Sequence, residues 1–114
     1  MISRQHRFHG YNSLRNVYRH GRMARGSLFA VKAAPNSRRK TYRVAVVVSR
    51  KVNKSAVARN RIRRRLYEAS RELGQQINQP QDIVITVFHS SVLDTAYPEL
   101  AGQLKKQFKE LKII

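Results

Sequence analysis

Cysteine is missing from the chain altogether, which removes disulfides, thiolate nucleophiles and cysteine metal sites at once and fits a reducing cytosol. Long apolar runs are missing too. The longest, Val44 to Val48, is the size of a strand, far short of the ~18 residues that suggest a membrane span, and no secretory signal is apparent. Carboxylates are scarce: six among 114 residues, the first of them Glu68. A two-metal nuclease site needs clustered acids, so none is expected on this chain. The four histidines, His6, His9, His20 and His89, have no partners at metal-ligand spacing and read as surface or packing residues, which leaves no zinc motif. Ser90-Ser91 has neither a base nor an oxyanion motif beside it and reads as a loop. The sequence therefore predicts no catalytic group, no metal site and no cofactor held by the protein alone.

Positive charge is abundant. Lys and Arg number 24, for a formal net charge of +18, well beyond what solubility asks of a small domain. Residues 1–67 carry 19 of them and no acid, whereas residues 68–114 carry 5 against 6 acids. A half-chain of unrelieved positive charge implies a polyanionic partner. Its preference for Arg over Lys favours forked phosphate contacts and base stacking. Tyr11, Tyr18, Phe29 and Tyr42 lie among these cations, the mixture expected of a single-stranded RNA groove. Of the aromatics, Tyr18 and Phe29 are the candidates for RNA contact, and Tyr42, Phe88 and Phe108 read as core. Binding to a membrane surface fits less well, because the apolar positions alternate between strand and helix periods as a packed core requires.

The length suits a single domain over residues 1–114, with residues 1–12 a basic arm and a candidate for mobility. Ser13 can cap a helix with apolar positions Leu14, Val17 and Tyr18, stopped by Gly21. Leu28 to Ala33 and the valine-rich Tyr42 to Ser49 read as strands separated by a polar loop. Adjacency suggests that they pair antiparallel, and the second has the continuous apolar character of a strand buried on both faces. Ser55 to Leu73 is the strongest helix, with Ala58, Ile62, Leu66, Ala69 and Leu73 on one stripe and Gly74 after it. Ile83 to Phe88 is a further strand, so that strand, helix, strand predicts a parallel pair. A final helix should begin near Pro98 and run through Leu100, Leu104, Phe108 and Leu111. The expected fold is α+β: a small mixed β-sheet packed with helices as an α/β sandwich, its strand-helix-strand crossover carrying the arginine-rich helix.

That helix concentrates the chemistry. With Ile62 taken as zero, Leu66 and Ala69 lie within about 40°, while Asn60 and Arg64 lie near ~160° on the opposite side. Arg61 and Arg63 flank them, and Arg59 and Arg65 sit at the borders, where their stems can lie on the core edge with the guanidinium groups reaching outward. Like charges at i, i+4 repel by a few tenths of a kcal/mol per pair, and the absence of relieving glutamates before Glu68 suggests that binding is the reason they are tolerated. Arg50, Lys51 and Lys54 precede the helix, whose first amides can hold a phosphate.

Arg59-Asn60-Arg61, then Ile62, Arg63, Arg64 and Leu66, resembles the Arg-Asn-Arg signature helix of bacterial ribonuclease P protein subunits. Val48-Ser49-Arg50-Lys51-Val52 is similar to the strand end that leads into it. Arg7-Phe8 and Leu14-Arg15-Asn16-Val17-Tyr18-Arg19-His20-Gly21 resemble the family's amino-terminal block, and Phe29 falls where its first long strand carries an aromatic. The likeness covers nearly the whole chain in order. It implies a protein subunit that helps a catalytic RNA remove the 5′ leader of precursor tRNA in the cytoplasm, with Mg2+ in the ribonucleoprotein held chiefly by RNA phosphates. Contact with the catalytic RNA would fall to Arg50, Lys51, Lys54, Arg59, Asn60, Arg61, Arg63, Arg64 and Arg65. The leader would lie in a cleft with Leu14, Tyr18, Phe29 and Lys32. The family usually has phenylalanine where this chain has Leu14 and Tyr18, and often an aromatic near Lys32. No membrane and no obligate protein partner is expected. The alternatives are a ribosomal-type structural RNA-binding protein and a DNA-binding module, the latter without a helix-turn-helix turn or a dimer seam to support it.

Overall fold

The computed structural model describes residues 3–8 and 10–114, with the side chains of Tyr11 and Asn12 left out; His9 and the ring of Tyr11, both singled out above, lie outside the described residues. Four strands form one sheet: β1 (Arg22–Arg25), β2 (Phe29–Pro35), β3 (Arg43–Val47) and β4 (Gln81–Val87), in the order β1-β2-β4-β3. Among the described residues three α-helices accompany them: α1 (Tyr11–His20), α2 (Ala56–Leu73) and α3 (Tyr97–Glu110). The fold is α+β with a mixed sheet, as expected. β3 and β4 are parallel, with Val44 beside Ile83 and Val46 beside Ile85, and α2 is their crossover.

The expected antiparallel pairing of the second and third strands does not occur. β2 pairs antiparallel with β4 instead, Phe29 opposite Val87 and Ala33 opposite Ile83, which places the last strand between them. The reason is burial: β4 is apolar on both faces and belongs in the interior of the sheet, whereas the loop between β2 and β3 carries no tight-turn pair that would force a hairpin. The hairpin lies one strand earlier. β1, not recognised in the sequence, pairs antiparallel with β2; its four residues alternate around the single buried Ala24, too short a pattern to stand out from a basic loop.

Helix boundaries follow local chemistry. The Ser55 hydroxyl accepts from the Ala58 amide at 3.2 Å and caps α2. Pro98 sits in the first turn of α3, where a missing amide costs nothing. Arg22 donates to the Leu111 carbonyl at 2.6 Å, placing a cation at the carboxyl end of α3. The first helix departs from expectation: it begins a turn earlier, capped by Gly10 rather than Ser13, and Gly10 has φ +107°, a backbone state that glycine alone adopts without strain.

The two sheet faces are packed unequally. Val31, Ala33, Val44, Val46, Ile83 and Ile85 point to one face, where Ile62 and Leu66 of α2 and Leu100, Leu104 and Phe108 of α3 complete the main core. The opposite face holds a smaller cluster of Phe8, Val17, Ala34, Ala45 and Val84, with Leu14 and Val47 against it. Phe8 belongs to the amino-terminal arm, which lies along the outer edge of β3: the Phe8 amide donates to Val44 at 3.2 Å. Arg43 forms a buried two-pronged bond with Asp82, both distances 2.8 Å, and its guanidinium lies 4.7 Å from the Phe8 ring centre. One positive charge of the basic half is thus neutralised inside the fold.

Candidate nucleic-acid interface

The helical phase of α2 divides its arginines by what they touch. Asn60, Arg61 and Arg64 are exposed and Arg63 is half-buried, while Arg50, Lys51 and Lys54 stand exposed in the loop ahead of the helix. These seven residues form one polar, cationic surface. The two border arginines do not join it. Arg65 turns inward and donates to the carbonyls of Leu93 at 2.9 Å and Thr95 at 2.6 Å, and also to that of Val92. Arg59 donates to the carbonyls of Asn53 and Lys54 at 2.9 and 3.0 Å. Their stems do lie on the core edge as expected, but the guanidinium groups are engaged with backbone oxygens. Arg65 braces the segment before α3 and Arg59 braces the cationic loop, so both hold the surface in shape. Val57, 72% exposed, stands one turn before Arg61 on the same face. Its phase, about 140° from Ile62, was a readable sign that it lies off the core stripe.

Charge changes character further along α2. Glu68 accepts from Arg71 at 2.9 Å, and that bond holds its carboxyl below the usual carboxylate range. The unrelieved cationic face is therefore confined to the first half of the helix and its leading loop.

The second region is the sheet face that α1 covers only in part. Side chains alternate along strands, so Lys32 of β2, Met23 and Arg25 of β1, and Thr86 of β4 point to this side. Tyr18, at the end of α1, is 43% exposed. The Lys32 amine lies 5.7 Å from its ring centre and donates to its backbone carbonyl at 2.6 Å. Leu14 is half-buried against the small cluster. The cleft thus brings together Leu14, Tyr18 and Lys32. Phe29 is not among them. It is fully buried on the other face, in the main core, and a ring without accessible surface has no face to offer a base. Odd positions of β2 point to the core and even ones to the cleft, which is why Phe29 and Lys32 cannot share a groove.

Phe88 takes the position that Phe29 vacates. It follows β4 in the register of Val84 and Thr86, is 38% exposed, and has the Arg25 guanidinium 4.5 Å from its ring centre. The expectation that it belongs to the core, as most aromatics do, is not met; the parity of Ile83, Ile85 and Val87 is the signal against it. Tyr42 and Phe108 are buried as expected. His6 stacks on Tyr42 with ring centres 4.1 Å apart, and His89 accepts from the Ser91 amide at 3.1 Å; both are packing and capping residues. No helix among the described residues is long and apolar enough to cross a membrane, and they gather no group of three or more candidate metal ligands.

Comparison with known proteins agrees with this architecture. The sequence matches the Ribonuclease P family over residues 2–112. A Ribonuclease P protein component from Pseudanabaena sp. is 32% identical over the whole of this chain and 97% of its own length, and one from Chloroflexus aurantiacus is 36% identical over 90% of this chain and 75% of its own. The fold superposes on a Staphylococcus aureus RNase P protein with a TM-score of 0.83, at 22% identity, covering 96% of this chain and 90% of that one. The ribosomal-type alternative has no such support, and the chain belongs to the ribonuclease P protein family, the protein components of that endoribonuclease.

Proposed function

We propose that the chain binds the catalytic RNA of ribonuclease P through Arg50, Lys51, Lys54, Asn60, Arg61, Arg63 and Arg64, and receives the single-stranded 5′ leader of precursor tRNA on the open sheet face. There Tyr18 and Phe88 stack bases, Lys32 and Arg25 stand beside those rings to neutralise phosphates, and Leu14 supplies apolar wall. Chemistry belongs to the RNA and to Mg2+ held by its phosphates, in the cytoplasm, with no further protein required. The observation that carries this reading is the pair of half-exposed aromatic rings, each with a cation over it, on the sheet face that is only partly covered, in a chain of this family. Ring and guanidinium or ammonium together are what a flexible RNA strand needs: stacking is tolerant of sequence, and the phosphate contact fixes the path.

The test is a leader-length series at fixed Mg2+ and salt, with holoenzyme reconstituted on a bacterial ribonuclease P RNA. Wild-type protein should bind precursor tRNA with several leader nucleotides more tightly than precursor with one. Tyr18→Ala and Phe88→Ala should each reduce that preference by about 1–3 kcal/mol, up to two orders of magnitude in affinity. Indifference of the wild-type holoenzyme to leader length would reject the groove.

A further inference from the structure

Residues 36–42 join β2 to β3 at the end of the sheet opposite the start of α2, and they carry Arg38, Arg39 and Lys40 in a row, all exposed. None of the three takes part in an ion pair among the described residues. Like charges so placed repel, yet the loop is fastened rather than left to spread in solvent. Asn36 fastens it. Its amide donates to the Pro80 carbonyl at 3.0 Å and its carbonyl accepts from the Arg39 amide at 3.1 Å, while Oδ1 accepts from the Arg38 amide at 3.2 Å. Its Nδ2 donates to Asp82 at 2.8 Å, the same buried carboxylate that holds Arg43. Three cations are thus held together at one place on an anchor inside the fold.

Lys40 borders a recess of about 490 Å³ between this loop and the end of α2, a volume within the ~300–1,000 Å³ of small-ligand sites. Thr41, Gln75, Asn78 and Gln79, all exposed, and the half-buried His6 give its wall hydroxyl, amide and imidazole groups. Among the described residues no carboxylate lines it. Arg71 also reaches the wall but is paired with Glu68, so the free positive charge is that of the loop. Tyr42 lines the recess and belongs to the main core, which makes its ring the boundary between them. Gly74 permits this, because a Cβ there would collide with the Tyr42 hydroxyl.

We propose that the recess is a second site for the catalytic RNA, taking one unpaired nucleotide whose phosphate meets Arg39 and Lys40. The base must be unpaired so that its edge is free for the side-chain amides of Gln75, Asn78 and Gln79, which both donate and accept. The 18 residues of α2 span about 27 Å at 1.5 Å each, so no single nucleotide touches both this site and the cationic face at the start of the helix. Both sites lie at ends of α2, on the helix side of the sheet, whereas the leader groove is on the other side. The strand that reaches the recess is therefore the catalytic RNA rather than the leader. That assignment rests on the RNA-binding reading above; the nucleotide site itself does not.

The site is tested by titrating the full chain with uridine 5′-monophosphate and with inorganic phosphate, following the side-chain amides of Asn78 and Gln79 by nitrogen-15 NMR. The nucleotide should move both signals and bind about ten-fold more tightly than phosphate, the worth of one or two neutral hydrogen bonds. Replacing Arg39 and Lys40 together by Ala, both solvent-facing, should weaken the nucleotide by about ten-fold with the fold intact, the worth of one charge-assisted bond. Unmoved signals, or equal affinity for nucleotide and phosphate, would overturn the site. The RNA is tested by crosslinking. Because the chain has no cysteine, Ser37→Cys beside the loop cations and Val57→Cys on α2 each place one photo-crosslinker in holoenzyme reconstituted on a bacterial ribonuclease P RNA with precursor tRNA. Both should crosslink to the catalytic RNA at separate nucleotides, Ser37→Cys at an unpaired one. Crosslinks from Val57→Cys alone, or from Ser37→Cys to precursor tRNA alone, would overturn the second contact and leave the α2 surface in place. Crosslinks from neither would overturn the RNA-binding reading and this assignment with it.

Discussion

The two faces of the sheet share strands and almost alternate residues, yet one is closed and the other open. On the closed face, α2 and α3 lie side by side over the odd-numbered residues of β2 and β4, and Phe29, Ile62, Leu66, Leu104 and Phe108 have no accessible surface. On the open face α1 and the amino-terminal arm cover a small cluster, leaving Tyr18, Met23 and Phe88 at 43, 54 and 38% exposure. Stability is thereby gathered on one side of a single sheet and the exposed aromatic surface on the other. A protein this small can hold exposed aromatic rings in fixed positions because β4, which leads to Phe88, is anchored from behind, and α1, which carries Tyr18, packs on the same sheet.

The largest effect should come from breaking the closed face. Phe29→Ala removes a fully buried ring from the main core and should cost about 3–5 kcal/mol of unfolding free energy, the range for a buried Phe, read as a shift of the urea midpoint. Tyr18→Ala, on the open face, should change the same midpoint by well under ~1 kcal/mol. If the two losses were equal, the division between the faces would not hold.

Next in size is the cationic half of α2. Arg61 and Arg64 are exposed and could each make forked contacts with phosphates, so replacing both by Ala should weaken assembly with the catalytic RNA by about 2–4 kcal/mol. It should also lower the salt dependence of binding by about two counterions. Replacing Lys105 and Lys109, exposed on α3 at the far edge of the closed face, should cost less with the fold equally intact. Equal losses would reduce the α2 face to a nonspecific source of charge.

A third experiment sharpens the distinction between neighbouring arginines. Arg65→Met removes several hydrogen bonds to the carbonyls before α3 and should lower stability by about 2 kcal/mol. Arg64→Met, one residue earlier and solvent-facing, should leave stability unchanged and weaken RNA binding. The reverse pattern would return Arg65 to the RNA surface.

Much of this arrangement was legible in the sequence, for physical reasons that differ from place to place. The α2 stripe of Ile62, Leu66 and Ala69 is a 3.6-residue pattern long enough to identify both the helix and its cationic back, and the Val44–Val48 run announced a strand buried on both sides. What escaped were decisions made by tertiary contact. Phase alone places Arg65 at the border of the stripe but does not reveal three carbonyls waiting beside it. Phe29 and Phe88 each end or begin an apolar strand, and which of them faces solvent depends on which sheet face the helices cover. The pairing of β2 with β4 depends on burial of a strand fifty residues away, which adjacency cannot report. Nothing in the sequence marks Gln107, whose burial follows from the β1–β2 hairpin that packs against it.

The smallest expected effect concerns the second half of the closed face, where α3 begins. The Tyr97 hydroxyl is buried, and that burial, reinforced by the neighbouring Glu72 carboxylate, pushes its pKa from the usual 10.0 up to about 12. Both influences disfavour the phenolate, so folding favours the protonated form. The sign follows by linkage: with the folded pKa above the unfolded one, the stabilising contribution is fully present below pH 10 and is lost as pH rises from about 10 to about 12. Tyr97 is only partly buried as a whole residue, and solvent screening reduces the effect to ~1 kcal/mol. Tyr97→Phe removes the ionisation while keeping the ring. Compared at pH 8 and pH 11, the wild-type urea midpoint should fall further than that of Tyr97→Phe, by an amount corresponding to that ~1 kcal/mol. A fall of the same size in wild type and in Tyr97→Phe would mean that the alkaline loss arises elsewhere, and that the Glu72 side of α2 does not press on α3 as the packing implies.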